Sequence, residues 1–185
     1  MNETAERSLE TGIALTSLQE RFCRLLEEHG RVVLKVANTY AFRSQDRQEL
    51  VQEIHAQLWR SFASYDERRP FATWLYRVAL NVAISYVRSE SIRLERTVSL
   101  DPELGEVIAA PAADDDLADR QEFLSRFIVG LGQLDKALMI LYLEEHTYQQ
   151  ISEILGISET NVATKIARIK QRVRLEASKE ETEQR

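Results

Sequence analysis

The chain has 185 residues, 44% of them hydrophobic and 29% charged, with a formal net charge of -6; this is globular composition with room for one large domain or two small ones, and it excludes disorder throughout. The single cysteine, Cys23, excludes an intramolecular disulfide and reads as a small buried hydrophobe, while His29, His55 and His146 have no Cys or His partner at ligand spacing, so neither a metal nor a cofactor is expected. The opening MNETAERSLETG has no signal-type apolar core and no apolar run is long enough to span a membrane, so the expectation is a soluble, cytoplasmic protein.

With only 6 Gly and 3 Pro, and apolar residues recurring at three and four rather than at two, the pattern predicts an all-α chain. After a polar tail over 1–15, a helical face runs through Leu18, Phe22, Leu25, Leu26, Val33, Val36, Ala37 and Tyr40, with a weak point at Gly30. Asp46, with Glu49 three residues on, is the expected start of a second helix that buries Leu50, Ile54, Leu58 and Phe62 and turns Glu49, Gln52, Glu53 and Gln57 outward. The turn SYDERRP ends it, and a third helix is expected from about Phe71 to Arg88. Trp74 belongs to its apolar set, and both Trp59 and Trp74 read as core. Over 96–116 two prolines, small residues and three adjacent aspartates give linker composition, dividing the chain into helical domains over 16–95 and 117–177, with a solvated tail over 178–185.

The second domain contains TYQQISEILGISETNVATKIARIKQRVR. Thr147 and Gln150 fit a capping box, Gly156 fits a left-handed helix end, and Ser158 can cap the helix that follows. That last helix buries Val162, Ile166, Ile169 and Val173 and exposes Thr160, Asn161, Thr164, Lys165, Arg168, Arg172 and Arg174: short hydrogen-bonding groups first, cations behind. The order suits a helix entering the major groove by its N-terminal end, with phosphates reached further along. From Lys165 to Arg174 there are five cations and no acid. One short basic helix on an acidic molecule reaches few phosphates, so the free chain is expected to bind DNA weakly and to depend on a larger partner for delivery. A plain helical hairpin with a charged outer face fits the same pattern.

In the first domain, aromatics stand among arginines: Phe71, Trp74, Arg77, Tyr86 and Arg88. Rings beside cations can stack unpaired bases and hold the phosphates of a single strand. Here the residues resemble a known family, the bacterial RNA polymerase sigma factors of the extracytoplasmic-function group. ELVQEIHAQLW is similar to the polymerase-binding helix of that family's second region, FATWLYRVALNVA to its promoter-melting segment, and TYQQISEILGISETNVATKIARIKQRV to the helix-turn-helix of its fourth region.

The resemblance implies core RNA polymerase and promoter DNA as partners, and allows an anti-sigma protein as a third. It implies that Asp46, Glu49, Leu50, Gln52, Glu53 and Gln57 dock on the polymerase. Phe71, Trp74, Arg77, Asn81, Tyr86 and Arg88 would lie in or support the surface that opens the upstream-of-start element, and Thr160, Asn161, Thr164, Lys165, Arg168 and Arg172 would contact the more distant element. The acidic linker would thread towards the polymerase active-site channel. Ala163 and Ala167 stand where relatives carry larger side chains. No Ser/His/Asp set or glycine-rich phosphate loop occurs, so no enzyme is expected. Two other readings of the residues are a polymerase-independent helix-turn-helix regulator and a protein-binding helical adaptor.

Overall fold

The computed structural model describes residues 17–96 and 123–183. The expected linker over 96–116, apart from its first residue, and the N-terminal tail lie outside them. Eight helices and no strand occur among the described residues.

Helix α1 (17–29) is separated from α2 (Arg31–Tyr40) by a single turn residue, Gly30. Gly30 keeps right-handed helical backbone (φ -58°, ψ -25°), and a β-carbon there would stand 3.0 Å from the carbonyl oxygen of Leu26. Helix α3 (Ser44–Phe62) begins two residues before Asp46, because Arg47 N–H already bonds to the Arg43 carbonyl at 3.0 Å. Asp46 is therefore no cap. It lies in the first turn, where its carboxylate faces the positive end of the helix dipole. Helix α4 (Phe71–Arg96) follows the turn, with Pro70 supplying the carbonyl that accepts Thr73 and Trp74 N–H at 3.1 and 3.3 Å, and it runs past Arg88.

Helices α2, α3 and α4 pack on one another. Their shared core is Val33, Val36, Leu50, Ile54, Leu58, Leu75 and Leu80, each at most 1% exposed. Each such side chain contributes roughly 1.5–3 kcal/mol by leaving water. Phe22 closes one end, its ring edge-on to Trp59 and Phe62 at 5.2 and 5.0 Å. Cys23, expected to be buried, is exposed, and Trp59 is 40% exposed. Each follows a buried residue, and one step along a helix rotates a side chain by about 100°, off the apolar stripe.

The second domain comprises α5 (123–129), α6 (Gln133–Leu143), α7 (Tyr148–Leu155) and α8 (Glu159–Glu183). Leu138, Leu141, Ile151, Ile154, Val162, Ile166 and Ile169 fill its centre. Helix α8 continues through the segment read as a solvated tail; RLEASKEETE has no Gly or Pro and is rich in strong helix formers, so nothing stops it. Between α6 and α7, Glu145 takes the left-handed conformation (φ 60°), while His146 N–H bonds to the Leu141 carbonyl and Glu145 N–H to that of Tyr142. This is a Schellman motif with glutamate in the place glycine usually holds.

The two domains touch. Helix α4 packs against α6 and α7. Tyr40 Oη donates to the Gln133 carbonyl at 2.7 Å, Lys35 pairs with Glu144, Tyr76 Oη donates to Glu144 Oε2 at 3.5 Å, and the Tyr76 and His146 rings meet edge to face at 5.2 Å. Lys136, only 5% exposed, sets its ammonium 5.1 Å from the centre of the Phe42 ring. Among the described residues no helix is long and apolar enough to cross a membrane.

Candidate nucleic-acid and protein interfaces

Three surfaces gather the residues singled out above. The first is a groove of about 770 Å³ between α3 and α4, walled by Glu49, Glu53, Gln57 and Ser61 on one side and Asn81, Val82, Ser85, Tyr86 and Ser89 on the other. Helical spacing of four puts Glu49, Glu53 and Gln57 on one stripe. Glu53 accepts from Arg60 at 2.9 Å and Glu49 from Gln45 at 3.3 Å, both in solvent-facing positions. Tyr86 Oη donates to Glu49 Oε2 at 3.4 Å; burial first, then the carboxylates of Asp46, Glu49 and Glu90, push the phenol up to about 12, so it stays a donor. Gln52 is exposed and Asp46 half-buried at the same face, whereas Leu50 is fully buried beneath it and anchors α3 rather than reaching outward. The groove is acidic, and its chemistry suits a basic protein surface.

The second surface is a cleft of about 350 Å³ at the turn into α4, lined by Ser64, Tyr65, Asp66, Arg69, Thr73, Trp74, Arg77 and, from the other domain, Glu153. Tyr65 and Trp74 lie 5.2 Å apart with planes inclined by 44°, and Phe71 supports Trp74 at 5.3 Å from below, being itself 5% exposed. Tyr65 Oη donates to the Arg69 carbonyl at 2.6 Å and so holds the turn. Arg69 and Arg77 are exposed at the rim. Rings inside can stack on bases, and guanidinium groups outside can pair with phosphates.

Not all six residues expected at this surface meet here. Trp74, Arg77, Asn81 and Arg88 share one stripe of α4 by spacing, which leaves the aromatic cleft and passes along the acidic groove, where Asn81 sits. Tyr86 is off that stripe and turned to α3. Tyr65 and Arg69 were not among the expected site residues. The signal was in SYDERRP, an aromatic with two arginines in a turn beside the aromatic helix start.

The third surface is the helix-turn-helix. Thr147 Oγ1 accepts from Gln150 N–H at 3.2 Å while Gln150 Oε1 accepts from Thr147 N–H at 2.8 Å, so the capping box is complete. Gly156 has φ 68° and ψ 31°, its N–H bonds to the Ser152 carbonyl at 2.8 Å, and Ser158 Oγ accepts from Asn161 N–H at 3.2 Å to start α8. Val162, Ile166 and Ile169 point inward, which leaves Thr160, Asn161, Thr164, Arg168 and Arg172 exposed on the opposite face. Arg168 makes no ion pair among the described residues. Lys165 is more constrained, its ammonium bonded to Asp135 Oδ1 at 3.3 Å, and Arg172 lies 3.8 Å from Glu176 and 5.6 Å from the Phe127 ring centre. Ala167 is exposed, a flat spot on the same face.

Comparison with known proteins adds what geometry cannot. Residues 25–92 match the family model "Sigma-70 region 2" and residues 123–173 match "Sigma-70, region 4". The RNA polymerase sigma factor CnrH of Cupriavidus metallidurans is 26% identical over 90% of this chain and 91% of its own, and the ECF RNA polymerase sigma factor SigM of Bacillus subtilis is 30% identical over 69% of this chain and 77% of its own. Among solved structures, the sigma factor RpoE bound to the anti-sigma factor NepR, from Bartonella quintana, has the same fold at TM-score 0.68 and 17% identity, covering 83% of this chain and 94% of that one. CnrH in complex with the cytosolic domain of CnrY aligns at TM-score 0.60 and 19% identity over 86% and 89%. With both regions present in order and a relative such as SigM matched over most of its length, the chain belongs to the sigma-70 family, in its extracytoplasmic-function group.

Proposed function

We propose that this protein is a transcription initiation factor: it binds core RNA polymerase, directs it to promoters through two DNA elements, and promotes strand opening. The observation that carries the reading is the presence of both sigma regions in one chain, each folded as its own helical domain with a distinct exposed surface. The acidic groove of α3 and α4, with Glu49, Glu53 and Gln57, is the polymerase-docking face, because paired carboxylates on one stripe complement a basic helix. The Tyr65, Trp74, Arg69 and Arg77 cleft takes unpaired bases of the upstream-of-start element. Thr160, Asn161, Thr164 and Arg168 of α8 read the more distant element, with Arg172 towards the phosphates.

The protein does no covalent chemistry itself and acts in the cytoplasm, where polymerase and chromosome meet. An anti-sigma protein is a third partner in this reading, supported by the fold neighbour RpoE, which was solved with one. A regulator that binds DNA without polymerase leaves the region 2 match and the acidic groove without a use. Reconstituted transcription tests the proposal: core polymerase on a panel of genomic fragments should initiate at specific sites only when this chain is added. Initiation at none of them overturns it.

A further inference from the structure

Residues 17–24 precede the segment that matches region 2, yet they reach the turn that builds the aromatic cleft. Arg21 of α1 pairs with Glu67, inside the turn SYDERRP, and sets its guanidinium 5.7 Å from the centre of the Phe62 ring. Its neighbour Phe22 stands edge-on to both Trp59 and Phe62, which fixes the point on α1 from which Arg21 extends. Within the turn, Arg69 N–H bonds to the Asp66 carbonyl at 3.0 Å, Arg68 N–H to Asp66 Oδ1 at 3.1 Å, and Tyr65 Oη to the Arg69 carbonyl. These bonds shape the loop locally. Among the described residues, Arg21 is the one side chain outside the turn that makes an ion pair with it. Glu67 stands in sequence between Asp66 and Arg69, which both line the cleft. An acid there repels an anionic strand, and the bond to Arg21 gives that charge a mechanical use.

We propose that Arg21 is a positioning residue for strand opening: from α1 it holds Glu67, and through Glu67 the turn that presents Tyr65 and Arg69, in the shape that receives unpaired bases. Arg21 itself touches no DNA. This rests on the reading of that cleft as the single-strand site. A loop fixed in advance loses less freedom when the strand arrives, so the pair strengthens capture without a contact of its own.

The sign of one substitution separates this from ordinary electrostatics. Glu67→Gln removes an acid beside an anionic strand, so simple attraction predicts stronger opening, whereas release of the turn predicts weaker opening. The test uses holoenzyme assembled from core polymerase and the full chain, on a promoter fragment at which the unaltered chain initiates. 2-Aminopurine in the upstream-of-start element reports unpaired bases, and a mobility shift reports duplex binding. Glu67→Gln and Arg21→Gln are each expected to lower the opening equilibrium roughly two- to fivefold, the range open to one surface ion pair. Duplex binding and the urea midpoint stay nearly unchanged. Arg21→Gln/Glu67→Gln is no worse than either single change, because both break the same pair, and the exchanged pair Arg21→Glu/Glu67→Arg recovers most of the loss. Arg24→Gln, which removes the same charge from an exposed position on α1, leaves opening as it was.

The proposal is overturned if Glu67→Gln leaves opening unchanged or strengthens it, if the two single losses add, if the exchanged pair recovers nothing, if duplex binding falls as far as opening does, or if Arg24→Gln matches Arg21→Gln. In each case the functional reading of the cleft stands so long as Trp74→Ala and Arg77→Ala lower opening. Indifference to both of those overturns the reading of the cleft itself, and the positioning with it.

Discussion

Gly156 and Glu145 meet the same backbone demand with different residues. Both have positive φ at the end of a helix, 68° and 60°, and only one of them lacks a β-carbon. Since a β-carbon at Gly156 would find no atom within 4 Å, Gly156→Ala carries a conformational cost only, expected at about 1 kcal/mol. The mirror-image change, Glu145→Gly, should stabilise the second domain by about 0.5–1 kcal/mol, less than the full left-handed penalty because glycine also loosens the unfolded chain. Urea denaturation of the two variants checks both signs. Leu50→Ala behaves differently from either: at a fully buried position it is expected to cost about 2–5 kcal/mol, which removes it from the list of residues that could test docking cleanly.

At the scale of the helix, exposure decides which substitutions report on partners. Among the described residues Glu53 is bonded only to Arg60, and it faces solvent on α3, so Glu53→Lys should leave the denaturation midpoint nearly unchanged while abolishing co-purification with core polymerase, by reversing charge in the middle of the acidic stripe. Retained association would move the docking face elsewhere. On α8, Arg168→Ala should weaken binding of holoenzyme to the distant promoter element and reduce the salt slope by about 0.9, one phosphate's worth. Promoter binding that ignores the change would reassign the reading helix.

The same scale explains what was legible in the sequence. The capping box of Thr147 and Gln150, the left-handed Gly156 and the Ser158 cap were all readable, since each involves residues three or four apart and nothing else. The apolar stripes of α3 and α8 were readable for the same reason. The start of α3 was not, because Arg43 offers no side-chain signal and Asp46 resembles a cap while serving in the first turn. Exposure of Cys23 and Trp59 was missed by one helical step. The joining of Lys35 to Glu144, 109 residues apart, has no local trace at all.

For the molecule as a whole, the junction of the two domains introduces a sensitivity to acid. Burial holds His146 below the usual histidine range, with the Gln150 hydrogen bond and the Glu144 charge opposing in part, and its ring abuts Tyr76 of the first domain, itself kept protonated by burial and by Glu144. A lowered histidine pKa means that the unfolded or separated chain binds the proton more readily. Stability is therefore complete above about pH 6.5 and declines as pH falls towards the folded value. His55, lowered by burial on α3, acts with the same sign. The urea midpoint should drop between about pH 7.5 and about pH 5.5, and His146→Gln should flatten part of that drop; an equal drop in the variant would remove His146 from the account.

Among the described residues, the groove between α3 and α4 includes none of the second domain, whereas the aromatic cleft includes Glu153. The two recesses therefore differ in what they ask of the rest of the chain. The cleft keeps its full outline only while α7 stays against α4. Swinging the second domain aside would redraw one recess and leave the contour of the other as it is.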